Sequence, residues 1–295
     1  MRTQSIDTHP EVERVLIALL RQASSQKRFQ SVQVLTRSGI WASVQTWLQH
    51  HPGASLQEAA VQYVASAYGA HLARLLQERL ARQEHWQIHP IDLLAVLEPI
   101  LCLFASADIP FYLGGSLASS LHGMPQLVQD LDLVLHPRDL SISSEKLWHE
   151  THLAVLKESY VIDEEAVKQR ASVSLLHLET LLKVDVIVPR REAFDLAMAH
   201  HLERHPLDEH HAAVPIACAL EMILWKLARY QAQAIRRQDG MEDDAGWNDI
   251  LGMLKVQGPR LNLLLLEHWA RQLEVNEILE QALLDAGIRD IPRAR

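Results

Sequence analysis

The chain has 295 residues, 48% hydrophobic and 22% charged, which suits one large or two modest globular domains able to bury a core without disulfide or metal staples. Its formal net charge of -9 argues against a protein that coats nucleic acid through bulk positive charge, and the local pairs Arg190-Arg191 and Arg236-Arg237 read as solvated faces. The two cysteines, Cys102 and Cys218, sit in apolar helical contexts without metal-type spacing and read as buried free thiols of a reducing compartment.

Residues 1–86 read as a helical region of unknown role. Pro10 followed by Glu11 and Glu13 suits a first helical turn, where a missing N–H costs nothing and acids meet the positive end of the macrodipole. Ser55 and Glu58 have capping-box spacing, and a long helix follows with Leu72, Leu75, Leu76 and Leu80 on one face. The start of the chain lacks a signal-peptide pattern. The most apolar stretch, 91–113, is broken by Asp92, Glu98, Pro99 and Asp108, so no membrane span and a cytoplasmic location are expected.

A helix is predicted over 91–106, then a strand over 111–113 running into Gly114-Gly115-Ser116 and a short helix over 117–121. Residues 131–135 alternate as a strand, with Asp130 and Asp132 on one face and Leu131 and Leu133 on the other. Residues 172–178 and 182–188 read as two more strands, joined by a turn at Glu179-Thr180 and stopped by Pro189. The rest is helical: 217–233, then a polar loop over 238–246, then 247–256, 261–273 and 277–286. The histidines between 200 and 211 read as a solvated loop, because Pro206 breaks the helix that a His201-to-His205 metal pair would need. The expected class is α+β, layered, with a small mixed sheet and flanking helices.

Three elements carry chemistry. Gly114 and Gly115 allow positive φ and close approach of a phosphate, and Ser116 caps the next helix or contacts a phosphate oxygen. Asp130 and Asp132, side by side on a strand, repel and call for a cation; oxygen donors suit Mg²⁺ or Mn²⁺. Asp185 lies among apolar residues on a strand, where it needs a partner; that partner is a metal, or Lys183 two positions earlier in an edge-strand pair. Two metals held by three carboxylates can clamp a triphosphate for in-line displacement. Trp247, beside Asp249, reads as a core anchor or a base-stacking surface.

These elements together resemble the DNA polymerase beta-type nucleotidyltransferase superfamily. The closer resemblance is to small bacterial nucleotidyltransferases, including AbiEii-like toxins of toxin–antitoxin systems, and it covers residues from about 91 to 286. It implies a nucleotidyltransferase core over 87–190 and a mainly helical region over 191–295 completing the active-site cleft. It implies catalysis and metal binding by Asp130, Asp132 and Asp185, and nucleotide binding by Gly114, Gly115 and Ser116. Lys226, within Met222-Ile223-Leu224-Trp225-Lys226-Leu227, is implied to reach the triphosphate and Asp249 to orient it. An NTP is the implied substrate, with RNA, a protein or a small molecule as acceptor and a cognate antitoxin as partner. The chain departs from the family where a basic residue and a Thr or Ser often precede the Asp-x-Asp; here stand Gln126, Leu127, Val128 and Gln129. Asn248 stands where Arg often precedes the later Asp. The departures motivate an alternative, a weak or inactive nucleotidyltransferase-fold binding module that senses a nucleotide or neutralises a partner.

Overall fold

The computed structural model describes residues 2–3, 8–83, 85–89, 92–137, 140–169, 172–190, 192–210, 212–236 and 244–288. The first elements are helices α1 (Pro10–Gln22), α2 (Ser25–His50), α3 (Leu56–Tyr68), α4 (Ala70–Leu80) and α5 (Leu93–Ser106). Strand β1 (Phe111–Leu113), α6 (Gly115–His122), β2 (Asp130–Leu135), α7 (Leu140–Leu147) and α8 (Glu150–Ser159) follow. Then come β3 (Tyr160–Ile162), α9 (Glu164–Lys168), β4 (Val173–His177), β5 (Lys183–Ile187) and α10 (Ala193–Met198). The last elements are β6 (Glu203–His205), β7 (Val214–Ile216), α11 (Ala219–Arg236), α12 (Asp244–Gln257), α13 (Leu263–Gln272) and α14 (Asn276–Asp285). The class is α+β, as expected. Among the described residues no helix is long and apolar enough to cross a membrane.

The chain divides into two units, each built from separated stretches. One comprises Gln30–Ser116 and Gln126–Ala199; the other comprises Met1–Phe29, Leu117–Pro125 and His200–Arg295.

In the first unit the strand order is β3-β4-β5-β2-β1. Strands β2 and β5 run parallel and the other neighbours antiparallel, so the sheet is mixed. The β4–β5 turn places Leu181 at φ 59, a left-handed position that its complete burial offsets. The apolar faces of α3 and α4 are covered by β3 and β4: Val64, Leu72, Leu76 and Leu80 share one buried cluster with Val161, Leu176 and Leu178. Each such Leu stabilises the fold by about 1.5–3 kcal/mol relative to an exposed one. Helices α3 and α4 therefore supply part of the core under the sheet. Its capping box is present, with Ser55 N–H donating to Glu58 at 2.7 Å and Glu58 N–H donating to Ser55 Oγ at 3.2 Å. The expected long helix after it is two helices, because Gly69 takes φ 96 and turns the chain between α3 and α4.

In the second unit helices α11 to α14 pack together, α1 packs on α12, and β6 pairs with β7 as an antiparallel hairpin. The hairpin replaces the loop expected at the histidine-rich segment, with His205 paired opposite Val214. Trp247 is a core anchor, 5% exposed, with its indole N–H donating to Asp285 at 3.1 Å. Elements α7 to α10 and β3 lie where the sequence reading named none. Cys218 is buried, which pushes its thiol up to about 11, but Cys102 is exposed. The physical reason is that α5 carries a solvent stripe at Ala95, Glu98, Cys102 and Ala105, one helical face apart from its buried leucines. The expected helix start at Ile91, positions 238–243 of the expected polar loop, Arg191 and Arg237 lie outside the described residues.

Candidate functional site

The three aspartates share one face of the sheet. Asp130 and Asp132 alternate with fully buried Leu131 and Leu133 on β2, so their side chains project away from the core. In the parallel β2–β5 register Asp132 faces Asp185 and Asp130 faces Lys183. Four charged side chains thus stand in a two-by-two array. Strand β5 lies between β4 and β2, so Asp185 is on an interior strand, and the pair with Lys183 forms there and not on an edge strand.

The glycines at the end of β1 close against this array. Gly114 N–H donates to the Asp132 carbonyl at 2.9 Å. Gly115 has φ 58, and a Cβ built there would lie 1.6 Å from Asp132 Oδ2. Only glycine meets both demands, so the chain brings bare backbone up to a carboxylate. Ser116 lies inside the first turn of α6 rather than at its cap, and its hydroxyl donates to the Asp130 carbonyl at 3.2 Å. That bond ties the helix start to the aspartate strand.

A cation already sits in the array. Lys183 Nζ is 2.6 Å from Asp185 and 3.3 Å from Asp130. Burial alone would lower the ammonium's pKa, but the hydrogen bond and charge of Asp185, then Asp130, hold it above the ordinary lysine value. Asp185 also accepts from Ser174 Oγ at 2.6 Å, across the β4–β5 register. Tyr68 walls the cluster, with its ring centroid 5.7 Å from Lys183 Nζ and its hydroxyl donating to the Gln129 carbonyl at 2.8 Å. Burial and then the neighbouring Tyr63 keep its phenol well above the ordinary range.

The oxygen-only donor set fits Mg²⁺ or Mn²⁺. The three carboxylates do not close to ligand separation: among the described residues the one trio whose ligand atoms lie within 4.8 Å of one another is His122, Glu203 and His205. At the aspartates, the lysine ammonium holds the position of the neutralising charge.

Lys226 and Asp249 are brought together elsewhere, on α11 and α12 of the other unit, at 2.5 Å. Their side chains are 13% and 15% exposed, so Lys226 is a half-buried, paired cation and not a solvated one. Sequence reasoning missed Ser174 and Tyr68. Ser174 had a signal, because it occupies the alternate-residue face of a strand adjoining Asp185. Tyr68 had none, since it reaches Lys183 across 115 positions of chain (183 minus 68).

No protein-family model matches the chain, and no curated protein does. Among solved structures, the chain is similar to the crystal structure of an antigenic nucleotidyltransferase-like protein from Paracoccidioides brasiliensis, at 18% identity. That similarity spans 65% of this chain and 91% of that one, with a TM-score of 0.41.

Proposed function

We propose that the protein is a nucleotidyltransferase that moves a nucleoside monophosphate from an NTP to an acceptor hydroxyl, with Asp130, Asp132 and Asp185 as metal-binding and catalytic carboxylates. The observation that carries this reading is the shared face of the three aspartates, with the bare backbone of Gly115 set against Asp132. Mg²⁺ or Mn²⁺ held by these carboxylates would supply charge neutralisation on the triphosphate and acidify the attacking hydroxyl. Gly114, Gly115 and Ser116, at the start of α6, are assigned the phosphates, since helix-start N–H groups favour anions. Asp185 is assigned the acceptor's proton as the hydroxyl oxygen bonds to the α-phosphorus. The bond from that phosphorus to the bridging oxygen breaks, and pyrophosphate leaves. Lys183 is suited to hand its charge from the carboxylates to incoming phosphate. The proposal gives Lys226 the triphosphate and Asp249 the task of orienting that lysine, supported by their ion pair. The acceptor is RNA, a protein or a small molecule, in a cytoplasmic toxin–antitoxin or phage-defence setting where an antitoxin would be the partner; that setting rests on resemblance.

Label transfer tests it. The full chain is incubated with Mg²⁺ and each α-labelled NTP, with total RNA and lysate as acceptors. Asp132→Asn is expected to cut transfer about 100- to 1,000-fold while the protein stays folded, since metal charge stabilisation is worth several kcal/mol. An unchanged rate in that variant overturns the assignment. A second reading is favoured by Lys183 lying between Asp130 and Asp185. If the ammonium stays there, the face binds nucleotide without turnover, and nucleotide binding without pyrophosphate release identifies that case.

A further inference from the structure

We propose that His122, Glu203 and His205 form a zinc site, made of residues that the proposed transfer reaction does not use. Their ligand atoms all lie within 4.8 Å of one another. The local fold explains the convergence. Glu203 and His205 are alternate residues of β6, so they project from the same face, and His205 Nε2 is 3.0 Å from Glu203 Oε2. His122 closes the trio from the last turn of α6, with its ring centroid 5.8 Å from that of His205. The spacing that suggested a helical pair with His201 gives way to a strand pair with Glu203.

His122 is set up as a ligand. It is 3% exposed, and its Nε2 lies 2.7 Å from the Ala217 carbonyl. A carbonyl only accepts, so Nε2 carries the hydrogen and Nδ1 keeps its lone pair. Metal-bound histidines commonly donate their other N–H to a backbone carbonyl in this way, which fixes the tautomer and raises ligand basicity. Gln257 supports the same turn by donating to the His122 carbonyl at 2.7 Å.

Two imidazoles and one carboxylate form a borderline donor set, suited to Zn²⁺ and poor for Mg²⁺. Glu203 is solvent-exposed, so a fourth position is open to water. Arg28 is the opposing charge. It is 8% exposed, its Nε and Nη1 have no hydrogen-bond partner among the described residues, and its charge acts on both Glu203 and His122. The Glu203 carboxylate faces that guanidinium and the further positive charge of Arg260, so a bound divalent ion adds to a locally positive set. Arg28 therefore weakens the site, and removing it strengthens binding.

The full chain, stripped with a chelator, is titrated with Zn²⁺ against a chromogenic competitor and, separately, with Co²⁺. Wild type is expected to take one equivalent at this trio and to give the intense visible bands of a tetrahedral cobalt centre. Asp132→Asn retains that equivalent, which separates it from any metal at the aspartates. His205→Ala, chosen because His205 is only half-buried, loses affinity by more than the roughly 100-fold that marks the loss of an outer-shell partner. Arg28→Met binds more tightly. X-ray absorption of zinc-loaded wild type needs no variant to fold and should count two imidazole ligands. The proposal is overturned by fewer than two imidazoles, by binding that survives His205→Ala, or by binding lost in Asp132→Asn. Stabilisation by inorganic phosphate in place of zinc would also overturn it, assigning Arg28 to an anion instead.

Discussion

Lys255 and Lys183 each hold a carboxylate within ion-pair distance, but their surroundings differ. Lys255 Nζ donates to Glu13 at 2.8 Å, and the two side chains are 1% and 2% exposed. The same ammonium donates to the Arg2 carbonyl at 2.5 Å, while Glu13 Oε2 has no hydrogen-bond partner among the described residues. Lys183 is 16% exposed, beside Asp185 at 20% and Asp130 at 36%. The first pair is dry: neither charge has water to fall back on, so it can only be structural. The second keeps partial exposure, so water still reaches its carboxylates. Burial, more than the identity of the partners, separates a fixed ion pair from a usable one.

The largest expected effect breaks the dry pair. Glu13→Ala should cost about 3–5 kcal/mol of stability, because Lys255 is left buried and uncompensated. Glu13→Leu with Lys255→Met should recover most of that loss in urea denaturation; a loss below about 1 kcal/mol in the single variant would place the pair in contact with water. An intermediate effect is expected at Gly115→Ala. A non-glycine residue at φ 58 costs about 1–2 kcal/mol, and the new methyl must push Asp132 aside. Metal-dependent nucleotide binding, read by calorimetry, should fall with it; normal binding would remove Asp132 from the site. The smallest effect sharpens the comparison. Lys183→Met should lower stability by about 1 kcal/mol without metal, or roughly 2–4 °C in melting temperature. Mg²⁺ should restore the variant more than it stabilises wild type, since Asp130 and Asp185 then lack their ammonium. Equal Mg²⁺ responses in the two proteins would mean that Lys183 does not occupy the metal's place.

Much of this was legible in the sequence because it is local. Alternation put Asp130 and Asp132 opposite Leu131 and Leu133, and Gly114-Gly115-Ser116 followed a strand as read. The capping box at Ser55 needs only four adjacent residues, and it formed. What failed was long-range or weakly periodic. Strand β3 has three residues and β6 has three, too few for an alternation to register. Cys102 was misplaced because an apolar helix with a narrow solvent stripe reads as buried all round. The His122 trio spans 83 positions (205 minus 122), and no spacing rule reaches that far. Lys183 was seen as Asp185's neighbour, but its approach to Asp130 depends on the parallel register of β2 with β5.

The dry pair also sets a timetable. Glu13 and Lys255 are separated by 242 positions. At about 5–20 residues per second, a ribosome needs roughly 10–50 s to deliver the lysine after the glutamate has emerged. For that interval α1 has neither its ammonium nor the helix that carries it, so this end of the chain waits, unsealed, for the other to be made.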